Sequence, residues 1–231
     1  MRYRLPDPDS GPQLAYKAYG STALRAPSQP PLHVTQGATE LSAPRFDTTL
    51  LYPNHDDLTR QVAGGEPLGE RIIVNGRVVD DNGVPLAHTL VEIWQCNAAG
   101  RYNHAKDQHP APLDPHFRGG GRVLTDAEGR YRFTTIKPGA YPWKNHANAW
   151  RPAHIHFSVF GVSALQRLVT QMYFPGDPLL GPDPIFNSIP SETARERLIS
   201  KFDWEATKPE WALGYRFDIV LRGSEATPAL P

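Results

Sequence analysis

The sequence predicts an all-β chain: a single β-sandwich with a long irregular N-terminal arm, long loops and one short helix. Three observations carry this. From residue 70 onward, short β-branched or alternating runs recur between Asn-Gly, Glu-Gly and Pro-Gly turn signals. Proline is abundant at 24 of 231 residues, roughly twice the usual share, which disfavours long helices. Only the stretch from Ser191 to Lys201 reads as a helix, with Ser191 in the N-cap position.

Residues 1–65 form the arm. Pro6, Pro8, Pro12, Pro27, Pro30, Pro31, Pro44 and Pro53 interrupt any helix or central strand. Its apolar content, including Tyr3, Leu14, Tyr16, Tyr19, Leu24 and Phe46, does not suit free disorder. The arm is therefore expected to pack on its own core or on a partner chain, with one helical turn at His55–Arg60. The sandwich domain then occupies 66–231. Arg71–Val79 is β-branched and ends at the turn signal Asp81-Asn82-Gly83; Thr89–Gln95 is the next strand. Residues 96–120 make a long loop rich in His, Pro and Gly, and loops of this length are usually functional. Arg122–Thr125 and Arg130–Thr134, joined by Asp126-Ala127-Glu128-Gly129, read as a hairpin. Further strands are expected near 153–160, 167–174 and 214–222.

Composition narrows the function. Lys and Arg number 24 against 24 Asp and Glu, with no block of like charge, which argues against nucleic acid or an anionic membrane as partner. No apolar run has spanning length, and the Met1–Pro6 start lacks the apolar centre of a signal peptide. The lone cysteine, Cys96, permits no internal disulfide and reads as a small buried apolar side chain. A cytoplasmic location is the expectation.

The most informative stretch is Trp150-Arg151-Pro152-Ala153-His154-Ile155-His156-Phe157. On a strand, His154 and His156 share a face with Cα atoms roughly 6.5–7 Å apart, so both imidazoles can reach one metal ion. Ile155 and Phe157 are expected to fill in around them. Two histidines on a strand are also compatible with plain hydrogen bonding. Further ligands would come from Asp, Glu, Cys96 or Tyr. Tyr102 and Tyr141 sit at the edges of regular structure, whereas Tyr131 and Tyr173 look like core; spacing alone does not select among them. The other histidines, His33, His55, His88, His104, His109, His116 and His146, read as solvated or hydrogen-bonded.

Three segments together resemble the intradiol ring-cleavage dioxygenases: Trp94-Gln95-Cys96-Asn97-Ala98-Ala99-Gly100-Arg101-Tyr102, Pro138-Gly139-Ala140-Tyr141-Pro142 and Arg151-Pro152-Ala153-His154-Ile155-His156. Their order and spacing match over roughly residues 50–222. The resemblance implies a non-haem Fe(III) cofactor held by Tyr102, Tyr141, His154 and His156, and a catecholic substrate opened by O2. Hard ferric iron suits anionic oxygen donors, and a bound multivalent cation favours the deprotonated phenol. By the same resemblance Tyr141 leaves the metal when substrate arrives and acts as a base. Arg151 places fixed positive charge beside the reacting ring. Trp143, Gln171 and Ile185 match pocket positions, each with a bland alternative as aromatic wall, buried amide or core. Tyr16 on the arm is a candidate contact for a ring carboxylate.

The likeness is closest to the branch that opens 3,4-dihydroxybenzoate, whose iron-carrying chain pairs with a homologous alpha subunit in a hetero-oligomer. Enzymes for catechol or hydroxyquinol carry an N-terminal helical dimerisation domain that the proline-broken arm cannot form. A competing class also fits parts of the sandwich pattern: transthyretin-like binding modules, in which fold alone decides nothing about activity.

Overall fold

Eleven strands are found among the described residues, arranged as two facing sheets and one short ribbon. The computed structural model describes residues 7–30, 32, 46–144, 146–161 and 167–230. In chain order the strands are β1 (Arg71–Val79), β2 (Leu90–Trp94), β3 (Gly120–Leu124), β4 (Arg130–Ile136), β5 (Tyr141–Pro142), β6 (Trp150–Arg151), β7 (His154–Phe160), β8 (Arg167–Tyr173), β9 (Lys201–Phe202), β10 (Leu213–Arg216) and β11 (Ile219–Val220). In the first sheet β1 is central. It pairs antiparallel with β4 on one side and parallel with β10 and β11 on the other, and β9 extends β10. The second sheet runs β3-β2-β7-β8, antiparallel throughout.

The core lies between the sheets. Ile72, Val74 and Val78 of β1, Tyr131 and Phe133 of β4, and Phe217 and Ile219 face Val91, Ile93, Ile155, Phe157, Val159 and Met172. Burying one such side chain contributes about 1.5–3 kcal/mol. Ile155 and Phe157 thus belong to the sandwich interior, on the face of β7 opposite the histidines. Strand alternation forbids them from flanking His154 and His156.

Both expected turns form, but neither makes a hairpin within one sheet. Gly83 donates its N–H to Asp80, and Gly129 donates to Asp126, each with left-handed φ. Yet β1 and β2 lie in opposite sheets, as do β3 and β4. Turn residues set a local reversal; the apolar faces of the flanking strands decide which sheet each joins.

Three short α-helices occur among the described residues: α1 (Thr22–Arg25), α2 (Pro184–Asn187) and α3 (Glu192–Glu196). The expected Ser191–Lys201 helix survives only as α3, with the Ser191 hydroxyl accepting from Ala194 N–H. It stops early because the next backbone groups are taken by the end of β8. Tyr173 N–H donates to Leu198, and Ser200 N–H donates to Tyr173. At His55–Arg60 the chain makes turns rather than a helix, since the Asp57 carboxylate captures Thr59 N–H and draws the backbone out of helical pairing. The described part of the arm packs on this same chain. Gln13 N–H donates to Ser188, Ser191 N–H donates to Asp9, and Tyr19 is buried. Tyr3, Phe46's preceding segment and His33 lie outside the described residues.

Candidate metal centre

The outer face of the second sheet carries the polar counterpart of the core. Register sets it: His156 pairs with Trp94 on one side and Gln171 on the other, and His154 pairs with Tyr173. The Trp94 indole stacks on the His156 ring at 4.8 Å between centroids and 4° between planes. Over this face folds the β5–β6 ribbon, in which Tyr141 pairs directly with Arg151.

Tyr102 arrives on the loop after β2. The Asn97 side chain accepts from the N–H groups of Ala99 and Arg101, winding the loop tightly. Two glycines let it lie against the approach to Tyr141. Gly100 has φ +77°, and a Cβ there would meet the carbonyl oxygen of Ala140 at 2.1 Å; a Cβ on Gly139 would meet that of Ala98 at 2.4 Å. Asp107 accepts Tyr102 N–H at 2.7 Å and fixes the end of the turn.

These elements bring together all four expected ligands. Ring centroids are separated by 5.3 Å for Tyr102 and Tyr141, 5.5 Å for Tyr141 and His154, and 4.8 Å for His154 and His156. The Tyr102 hydroxyl lies 3.2 Å from His156 Nε2. His154 Nδ1 donates to the Pro152 carbonyl at 2.7 Å, which fixes the tautomer and leaves a lone pair on Nε2. His156 Nδ1 is buried with no hydrogen-bond partner, so one ring nitrogen is idle in either tautomer.

Electrostatics agree with a ligand set. Burial, reinforced by the Arg151 charge, holds His154 well below the usual imidazole range and pushes His156 down to about 3. Both are therefore neutral, the form that binds metals. Burial lifts Tyr102 and Tyr141, opposed at Tyr141 by the nearby Arg151 charge. A bound multivalent cation reverses that preference and stabilises phenolates. No group of three or more His, Cys, Asp or Glu among the described residues is arranged to hold a metal. The phenols complete this set, and two phenols with two imidazoles fit a hard, high-valent iron better than zinc or calcium.

Beside the rings opens a cavity of about 930 Å³ whose walls include Trp94, Tyr102, Tyr141, Trp143, His156 and Trp150. His104, Lys106, Asp107, His109 and Lys144 also line it. Arg151 lies beneath, 1 % exposed, with Nη1 3.4 Å from His154 Nε2. The remaining expected contacts do not reach the cavity wall. Gln171 is buried and accepts from Arg151 Nη2 at 2.8 Å. Ile185 packs in a second apolar cluster with Tyr19, Tyr173 and Phe186, because α2 turns it inward. Tyr16 joins the same cluster, alongside Trp143.

The sequence reading missed Asp183, Tyr173 and Trp94. Asp183 forms a buried ion pair with Arg151 at 2.9 Å. Tyr173, read as core, is buried but lends its hydroxyl to Arg151. The Asp183-Pro184 pair was a visible helix-start signal, though not a sign of Arg151's partner.

Comparison with known proteins agrees with this geometry. The dioxygenase family matches residues 41–223, and the chain belongs to that family, the intradiol dioxygenases. It is 59 % identical to the protocatechuate 3,4-dioxygenase beta chain of Burkholderia cepacia, across 95 % of this chain and 93 % of that one. It is 30 % identical to the protocatechuate 3,4-dioxygenase alpha chain of Pseudomonas putida, across 76 % of this chain and 83 % of the other. Among solved structures it resembles catechol 1,2-dioxygenase from Acinetobacter sp. ADP1, with a TM-score of 0.52 and 28 % identity, spanning 72 % of this chain and 56 % of that one. No helix among the described residues is long and apolar enough to cross a membrane.

Proposed function

We propose that this chain opens the ring of protocatechuate (3,4-dihydroxybenzoate) between its two hydroxylated carbons, using O2, to give 3-carboxy-cis,cis-muconate in aromatic catabolism. The observation that carries the reading is the convergence of Tyr102, Tyr141, His154 and His156, in a chain 59 % identical to a protocatechuate 3,4-dioxygenase beta chain. The four side chains would hold a non-haem Fe(III). When bound, ferric iron supplies a Lewis acid that draws electron density from a catecholate and opens its ring to O2.

The protein's own groups do the rest. Tyr141, half-buried on β5 and lining the cavity, would take a catechol proton as its phenolate. Arg151, with Nη1 3.4 Å from His154 Nε2, would favour negative charge developing on a catecholate held at this centre. Trp94 and Trp143 wall the cavity against water. Lys106 and Lys144 in the cavity lining would supply positive charge for a ring carboxylate, favouring protocatechuate over plain catechol. A homologous alpha chain is the partner this reading implies, in a hetero-oligomer located in the cytoplasm. A transthyretin-like binding module would have no use for a buried cluster of phenols and imidazoles.

Oxygen uptake on protein of measured iron content tests the proposal. Red-brown protein that consumes O2 with protocatechuate, and more slowly with catechol, is the expected result. Iron-loaded protein that consumes none with either would overturn it.

A further inference from the structure

We infer that Asp183 is a positioning residue that locks the guanidinium of Arg151 so that its Nη1 edge faces the candidate metal centre. The inference rests on the proposed role of Arg151 in ring opening. Arg151 and Asp183 are 1 % and 0 % exposed. Asp183 Oδ1 accepts from Nε at 3.1 Å, and Oδ2 accepts from Nη2 at 2.9 Å. Nη2 also lies 2.8 Å from Gln171 Oε1 and 2.9 Å from the Tyr173 hydroxyl. That hydroxyl is itself 2.9 Å from Gln171 Oε1 and 3.2 Å from Asp183 Oδ2. Two of the three guanidinium nitrogens are thus engaged, leaving Nη1 beside His154.

A guanidinium is planar, so pinning Nε and Nη2 fixes the direction of Nη1. Nη1 lies 3.4 Å from His154 Nε2, and Arg151 pairs with Tyr141 across the β5–β6 ribbon. Without the carboxylate, rotation about the Arg151 side chain would redirect the charge.

Asp183 also caps α2 by accepting Phe186 N–H at 3.4 Å, so a purely structural role must be separated from positioning. Asp183→Asn keeps the size and the cap but cannot accept with both atoms. Positioning predicts a kcat lower by about 10- to 100-fold with KM within about twofold, and unchanged iron content and colour. In an Arg151→Gln background the same substitution should change kcat by less than about twofold, since Asp183 then has nothing to aim. An unchanged kcat, loss of iron, or losses that multiply in the double variant would each overturn the inference.

If Asp183→Asn does not fold, a crystal structure of the unaltered iron-loaded protein replaces it. A single guanidinium orientation, with Nε and Nη2 on Asp183 and Nη1 toward His154, supports positioning; a guanidinium found turned away from the Asp183 carboxylate refutes it. A crystal structure of the folded variant reads the same point without turnover. Nη1 displaced from His154 is expected, and an unmoved guanidinium refutes the inference even if the proposed substrate proves wrong.

Discussion

The two faces of β7 differ in what holds them together. Inward, Ile155, Phe157 and Val159 are wholly buried among apolar side chains, and area alone stabilises them. Outward, His154 is as buried and His156 only partly so, but each buried polar atom there needs a named partner, and one ring nitrogen has none. The apolar face tolerates any occupant of suitable shape. The polar face is satisfied only by specific atoms at specific distances, and an unsatisfied buried group costs about 1–3 kcal/mol. One strand therefore carries fold on one side and chemistry on the other, and substitutions should separate the two.

The sharpest separation is His156→Ala. It should lose most of its iron, its colour and at least ~10³-fold of turnover, because several kcal/mol of charge stabilisation go with the metal. The denaturant midpoint of the iron-free protein should move little. Full iron occupancy in this variant would end the contrast. Phe157→Ala, on the other face, should do the reverse. Leaving a cavity beside Phe133 and Phe217, it should cost about 3–5 kcal/mol in equilibrium unfolding, while the folded fraction keeps its iron. Wild-type stability would show that the two faces are not divided in this way.

Tyr141→Phe tests a finer division within the polar face. The three other ligands should keep most of the iron, while kcat falls by about 10²-fold through loss of the base. Identical kinetics would remove its role as a base. The smallest effect concerns Cys96, beside the polar face but built like the apolar one. Burial pushes its thiol up to about 12, so it stays protonated, and hence unreactive, throughout the neutral range. Native protein at pH 8 should resist thiol alkylation and react fully once unfolded; rapid native labelling would place Cys96 on the reactive side.

Much of this arrangement was legible in the sequence. The alternation put His154 and His156 on one face as expected, but Ile155 and Phe157, expected around them, lie on the opposite face in the core; the close approach of the loops at Gly100 and Gly139 was not read from the sequence. The choice of Tyr102 and Tyr141 came from family resemblance, because an edge-of-strand tyrosine has no local signature of metal binding. The sheet changes after Gly83 and Gly129 were not legible, since turn chemistry does not encode which sheet a strand joins. Nor was Asp183 as the partner of Arg151. The two lie 32 residues apart and meet only once β8 and α2 fold over β6.

The parallel pairing of β1 with β10 and β11 has a consequence for biogenesis. Residues 71–79 leave the ribosome long before residues 213–220, so one edge of this strand has no native neighbour until those residues are made. Such distant pairing slows folding and leaves an open edge exposed to other nascent chains. A polypeptide released early, near residue 210, would retain its ligand residues yet lack both closing strands, and it should accumulate as aggregate.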